Sequence, residues 1–263
     1  MDLSKIKMVV SDMDGTLLNS KHEVSNRFFE IHKELKQRNI QFVAASGRQY
    51  HSMVDKLEAI QDDVIFVAEN GAFVKRKEEV LLTTPIDKKH VNSILSLIAR
   101  TTNVHPVLCS KESAYVRGNS GKFLEMLKEY YTEFEIVEDQ TKVKDEILKV
   151  AIYHFESSEE HIYPVVKHLE DTLKVKVSGS NWVDVSHKNA HKGYALEKLM
   201  RTYKINSDEI MVFGDYNNDL EMLQLSNFSF AMANAHPNIQ RVAKYNTLSN
   251  NEHGVEHILE KML

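Results

Sequence analysis

Cysteine is almost absent. With Cys109 alone in 263 residues no internal disulfide can form, which suits a reducing, cytoplasmic setting. Its apolar context, HPVLCS, with no second cysteine, points to a packed thiol instead of a reactive one. Long hydrophobic runs are missing too. No stretch approaches the ~18 uninterrupted apolar residues of a membrane span, and the opening MDLSKIK lacks the apolar core of a secretion signal. Four prolines and nine glycines gather into no rich tract, so no flexible linker, low-complexity segment or internal repeat is expected. Charge of one sign does not dominate. The formal net charge of -5 comes without the clustered Lys and Arg that nucleic acid or an anionic membrane attracts, so those partners are set aside while a local basic pocket stays open. What is present is 42% hydrophobic and 27% charged residues, enough to bury one large core or two modest ones.

Short runs rich in Val, Ile and Phe alternate with segments of helical period, the pattern of a sheet built from βα units. Strands are predicted at 6–11, 40–46, 64–69, 209–214 and 228–233, and helices at 25–38 (capped by Ser25), 48–60, 191–203, 217–225 and 253–262. All five strands are nearly continuously apolar, which predicts a parallel sheet covered on both faces. From about Thr84 to Asp184 the strands alternate more, as in SAYVRG, ILKVAIYHF and KVKVSGSNWVDVS, so one face of a second sheet is expected to be wet. Helices predicted at 88–101, 119–131 and 158–173 separate them. The expectation is an α/β protein: a Rossmann-like doubly wound core, residues 1–83 and 186–263, interrupted by an α+β domain at 84–185.

In such a core, ligands lie beyond the carboxyl ends of the strands. The first strand ends in Asp12 and Asp14, the second in Ser46, Gly47 and Arg48, and the fourth in Asp215, Asn217, Asn218 and Asp219; Lys192 opens a helix. Two carboxylates about 4 Å apart repel by ~4 kcal/mol at an effective dielectric near 20, so a pocket gathering three needs a cation. Mg²⁺ fits, because it takes a few carboxylate oxygens and keeps positions for water and a substrate phosphate. Lys192 adds a second positive charge, and Ser46 with nearby N–H groups can donate to phosphate oxygens. The pocket suits a phosphoryl group. Asp12 then reads as a nucleophile that forms an acyl phosphate. Asp14 reads as the acid that protonates the leaving alcohol and the base that activates water. Gly15 permits the turn between them and Thr16 can steady it.

The motifs DMDGTLL (12–18), SGR (46–48), ENGA (69–72), HKGYAL (191–196), GDYNND (214–219) and AMANAHP (231–237), in this order, resemble those of the haloacid dehalogenase-like phosphatases, Cof-type branch. The resemblance covers the core and extends to the insert, which is similar to that branch's α+β (type IIB) cap domain. It implies Mg²⁺ held by the Asp12 carboxylate, the Asp14 main-chain carbonyl and Asp215, with Asn218 and Asp219 assisting. It also implies phosphate bound by Ser46, Gly47 and Lys192, and hydrolysis of small phosphate monoesters, commonly sugar phosphates and sometimes phosphorylated cofactors, with the cap choosing among them. No obligate protein partner is expected. Ala233 and His253 depart from the residues common in AMGNA and DGV, which touches loop shape and not the reaction.

Alternatives stand beside these readings. A strand-end acid can simply cap a turn, and Arg48 can be a structural ion pair or a substrate contact. Asn70 can make no more than an Asn-Gly turn, though the resemblance puts it near the substrate entrance. His187 with His191, and His253 with His257, have spacing that could bind Zn²⁺, but no matching carboxylate or cysteine accompanies them. Trp182 and Asp184 can pack or touch substrate. A signalling receiver shares strand-end acids but is about half this length, and a phosphomutase shares the nucleophile but passes the phosphoryl group to a sugar.

Overall fold

The computed structural model describes residues 3–118, 120–128, 131 and 134–263. In chain order the first stretch holds β1 (Met8–Asp12), α1 (Asn26–Gln37), β2 (Gln41–Ala45), α2 (Tyr50–Lys56), β3 (Val64–Ala68), β4 (Phe73–Arg76) and β5 (Glu79–Thr83). The middle holds α3 (Lys88–Ile98), β6 (Val104–Cys109), β7 (Ala114–Val116), α4 (Gly121–Leu127), β8 (Glu135–Ile136) and β9 (Lys149–His154). It continues with α5 (Ser158–His161), α6 (Tyr163–Val166), β10 (Leu173–Gly179) and β11 (Trp182–His187). The last stretch holds α7 (Lys192–Tyr203), β12 (Ile210–Gly214), α8 (Leu220–Gln224), β13 (Phe228–Ala231), α9 (Pro237–Val242), β14 (Tyr245–Asn246) and α10 (Gly254–Leu259). No helix among the described residues is long and apolar enough to cross a membrane.

The chain divides into two compact units, Met1–Leu82 with His191–Leu263, and Thr83–Ala190. The larger unit carries a sheet in the order β14-β13-β12-β1-β2-β3-β4-β5. Pairing is parallel from β14 through β3. β1, β3 and β12 are buried at every residue, as strands covered on both faces must be. Because β1 lies between β2 and β12, the strand order reverses there, and the crevice that this opens at their carboxyl ends is where a doubly wound sheet binds ligands. α1 shows how sequence becomes element. Ser25 Oγ accepts the Phe28 N–H at 3.0 Å, and Phe28, Ile31, His32 and Leu35 form one buried stripe.

The sheet is mixed at one edge. β4 pairs antiparallel with β3 after the turn at Gly71 (φ 95°), a hairpin extension that the five apolar runs did not announce. The stretch expected as one helix at 48–60 ends at Lys56 and continues as a 3-10 helix, Glu58–Asp63. That expected at 217–225 starts as a 3-10 turn, Asn217–Asp219, before α8.

The smaller unit has the strand order β10-β11-β9-β6-β7-β8, antiparallel except for β7 with β8. Successive residues of β9 alternate faces: Val150 and Ile152 join Val91, Ile94 and Ile98 of α3, while Ala151 and Tyr153 join Cys109 of β6 and Phe123 and Leu127 of α4. Both faces therefore carry core, and solvent-facing positions lie toward the two edges, at the β10–β11 end, where Lys174, Lys176 and Asp184 are half-buried, and at the exposed β8. The helix expected at 158–173 is broken into α5, α6 and a 3-10 segment, Lys167–Asp171. Pro164 at the start of α6 has no N–H to continue the ladder. Of the helix expected at 119–131, positions 119, 129 and 130 lie outside the described residues; α4, capped by Ser120 Oγ, is what the structure describes. KVKVSGSNWVDVS forms two paired strands. The chain returns to the larger unit at His191 and not at 186, because β11 runs on to His187 in register with Leu173.

Candidate active site

Asp12 is the last residue of β1, buried against the parallel neighbours on either side. Just beyond it the chain turns tightly, with Leu17 N–H bonded to Asp12 O and Leu18 N–H to Met13 O. Gly15 sits in this turn at φ 80°, and a Cβ there would strike the Asp215 carboxylate. Only glycine satisfies both demands. Thr16 Oγ1 donates to Asp215 Oδ1 at 3.4 Å, tying the turn after β1 to the loop after β12.

That second loop is organised by Asp219. The 3-10 turn Asn217–Asp219 folds its carboxylate back so that Oδ2 accepts the Asp215 and Tyr216 N–H groups at 3.0 and 3.1 Å. Its Oδ1 accepts from Lys192 Nζ at 2.7 Å. Lys192 opens α7, which His191 caps through Nδ1 to the Tyr194 N–H at 3.2 Å, and its ammonium also donates to Asp12 Oδ1. The lysine side chain is fully buried. Asp12 Oδ2 is buried too and has no hydrogen-bond partner among the described residues.

A second cluster flanks the first. Ala45 pairs in register with Asp12, which places Ser46 one residue past the end of β2; its Oγ accepts the Arg48 N–H at 3.1 Å. Asn70, in the left-handed region at φ 54°, lies against Gly47 and accepts from Asn218 Nδ2 at 3.0 Å. Asp14 stands apart from the buried Asp12 and Asp219 and the half-buried Asp215. Its carboxylate accepts two bonds from Arg48, Nε to Oδ2 at 2.7 Å and Nη2 to Oδ1 at 2.6 Å. Arg48 thus forms an ion pair with Asp14.

The electrostatics follow from the count of three carboxylates against one ammonium. Burial pushes Asp12 well above the ordinary carboxylate range; Lys192 opposes this, and the nearby Asp219 and Asp215 add to it. Burial and then Asp219 raise Asp215 from 3.8 to about 6. For Lys192 burial acts downward, but the charges of Asp12 and Asp219 overcome it and hold the ammonium above the ordinary lysine range. Asp14 goes the other way: burial would raise it, yet the two bonds and the charge of Arg48, with His22, hold it below the usual range. One oxygen each from Asp12, Asp215 and Asp219 lie within 4.8 Å of one another, the one such group of possible ligands among the described residues. An excess of carboxylate over ammonium and an orphaned buried oxygen on Asp12 fit a small hard cation such as Mg²⁺. The histidine pairs do not gather in this way.

Asp219 is therefore more central than the sequence made it, since spacing alone did not show that the turn would double back. Two contributors went unassigned. Asn234, in AMANAHP, donates from Nδ2 to Gly15 O at 2.8 Å, a contact its motif could have suggested. His22 approaches Asp14 with Nδ1 at 3.2 Å, and no sequence signal marks it. Gly15→Ala is expected to cost about 1–2 kcal/mol of stability through its left-handed backbone. The same variant should displace Asp215 and weaken Mg²⁺ binding at least about tenfold. Calorimetric titration with Mg²⁺ checks this, and unchanged affinity would refute the role given to this turn.

A family model for haloacid dehalogenase-like hydrolases matches residues 9–259. The chain belongs to that family and is an enzyme, with the doubly wound core and inserted α+β unit described above. It is 31% identical over 264 residues to the 5-amino-6-(5-phospho-D-ribitylamino)uracil phosphatase YbjI of Escherichia coli K12, covering 98% of this chain and 96% of that one. Among solved structures it is similar to SMU.1108c of Streptococcus mutans UA159, at 32% identity and TM-score 0.84 over 97% of this chain and 98% of that one. It also shares the fold of BT4131, a subclass IIB sugar phosphatase, at 20% identity and TM-score 0.80, covering 98% of this chain and 100% of that one.

Proposed function

We propose that this protein is a Mg²⁺-dependent phosphatase that hydrolyses small phosphate monoesters through an aspartyl-phosphate on Asp12. The observation that carries the reading is the Asp12 carboxylate: one oxygen is bound by the buried Lys192 and the other is left without a partner at the switch point of the sheet. An oxygen of Asp12 attacks phosphorus and the bond from phosphorus to the ester oxygen breaks. Asp14, once its pair with Arg48 opens and it takes up a proton, gives that proton to the departing alkoxide. Water then loses a proton to Asp14 and attacks the same phosphorus, releasing inorganic phosphate and restoring the Asp12 carboxylate. Lys192, held charged between two carboxylates, neutralises Asp12 and meets the phosphoryl oxygens, and Ser46 Oγ donates to them. Asn218, fixed by Asn70, directs its amide to the same group. Asp12, Asp215 and the Asp14 main-chain carbonyl would hold Mg²⁺, with Asp219 orienting the loop that presents Asp215. When bound, the ion supplies positive charge against the phosphoryl oxygens.

The substrate class is a sugar or polyol monophosphate. The E. coli relative is named for a phosphorylated ribitylaminouracil and BT4131 for sugar phosphates, so both kinds belong in a panel measured by phosphate release. EDTA is expected to abolish release and Mg²⁺ to restore it; activity indifferent to both would overturn the metal. Transfer of the phosphoryl group to an added sugar in place of water would make the protein a phosphomutase or phosphotransferase.

Asp215 gives this a pH signature. Its carboxyl is raised to about 6 in the folded chain from 3.8, so without metal its contribution to stability is fully present below about pH 4 and is lost as the pH rises through about 6. Mg²⁺ binds the ionised form and offsets that loss. The rise in Tm on adding Mg²⁺ is therefore expected to be several degrees at pH 7.5 and nearly absent at pH 4.5, as thermal unfolding would show. An equal rise at both values would contradict it.

A further inference from the structure

His22 lies in a turn held by the side chains of Asn19 and Asn251, the latter accepting the Ser20 N–H at 2.9 Å. Asn19 Oδ1 accepts the Lys21 and Glu23 N–H groups at 2.9 and 3.1 Å, while Asn19 N–H and Glu23 O close the loop at 3.1 Å. Within it His22 adopts φ 58°, a left-handed conformation that few non-glycine residues besides Asn, Asp and His take up. Strained backbone next to a reactive group has to be sustained by its surroundings, and here it aims an imidazole at the Asp14 carboxylate. His22 Nδ1 is 3.2 Å from Asp14 Oδ1 and 3.3 Å from Arg48 Nη2. An unprotonated Nδ1 would accept from Arg48 Nη2 but set its lone pair against Oδ1, whereas a protonated Nδ1 donates to Oδ1, the shorter of the two contacts. With Nδ1 protonated, Oδ1 accepts from both His22 and Arg48 while Oδ2 accepts from Arg48 Nε alone.

We propose that His22 is a positioning residue for Asp14, its Nδ1–H holding Oδ1 so that Oδ2 is the oxygen that exchanges the proton with the leaving group and with water. The inference rests on the phosphatase reading. Oδ1, with two donors on it, is a poor site for a proton; Oδ2 needs only Arg48 Nε to give way. Without His22, once Arg48 Nε gives way Oδ1 keeps a single donor, the carboxylate can turn about its bond to the chain, and the oxygen facing the leaving group is no longer fixed. Proton donation matters most when the leaving alcohol is a poor one, whereas an activated aryl oxide departs without help.

The test compares His22→Gly, which keeps the left-handed backbone and removes the ring, with His22→Asn, which tolerates that backbone and places an amide N–H where Nδ1–H stood. His22→Gln moves the donor one bond too far. Each is assayed with an alkyl phosphate from the panel above and with p-nitrophenyl phosphate. His22→Gly should lower kcat on the alkyl ester by about tenfold more than on the aryl ester, with KM little changed; Asn should recover most of the loss and Gln little. Equal losses on both esters, no loss, or equal rescue by Asn and Gln would overturn the proposal. Nitrogen-15 NMR of the imidazole reads the hydrogen bond without any substrate. An Nδ1–H tautomer in the wild type supports the assignment, and the Nε2–H tautomer usual in water refutes it even if phosphate is released. Wild-type protein that shows the Nδ1–H signal but hydrolyses no ester would instead sink the phosphatase reading.

Discussion

Asp12→Asn is expected to abolish turnover, with kcat down by a factor on the order of 10³ to 10⁶, the range seen when a covalent nucleophile is removed. An amide oxygen is too weak a base to displace an alkoxide from phosphorus, and nothing else within reach of Lys192 can substitute. Asp219 is committed to Lys192 and to two backbone N–H groups. Asp215 bonds to Thr16 across the turn. The fold should survive, since Asn has nearly the same shape and its neutrality relieves a crowded set of negative groups. Phosphate release and thermal unfolding on the same preparation decide the matter. Folded protein with full activity would eliminate the covalent route, and loss of activity through unfolding would show as a fallen Tm.

The largest effect on stability is expected from Lys192→Met. The side chain has no exposed surface and its ammonium is shared between Asp12 and Asp219, both almost wholly buried. Removing one partner of a buried pair leaves an uncompensated charge and costs about 3–5 kcal/mol, far more than a methionine of similar length returns by packing. The carboxylates will take up protons to soften the loss, so the destabilisation should grow as the pH rises. Mg²⁺ supplies positive charge to the same oxygens and should return part of the deficit. Urea unfolding with and without Mg²⁺ measures both; a change under about 1 kcal/mol would mean that the acids do not depend on the lysine.

The chain announced its parallel strands because strands buried on both faces must be nearly continuously apolar, as VIFVA of β3, IMVFG of β12 and the MVV that opens β1 are. It announced Asp12 with Lys192 because a carboxylate ending such a strand and a lysine opening a helix fall at the same edge of the sheet. β4 and β5 were hidden because FVKR and EVLLT are short and half polar. The position of Asp219 was hidden for another reason. Its role depends on a 3-10 turn closing on backbone N–H groups, a geometry that GDYNND permits without dictating. His22 was hidden most completely, for its turn is held by Asn19 and Asn251 and by nothing periodic.

The burial of Cys109 in the smaller unit has a practical side. Its sulfur lies 3.3 Å from the Tyr131 hydroxyl within an apolar cluster, and the residue has no accessible surface. A thiol so enclosed reacts slowly with maleimides. Fluorophores or spin labels can therefore be attached at cysteines introduced on the outside of either unit with the native residue left in place.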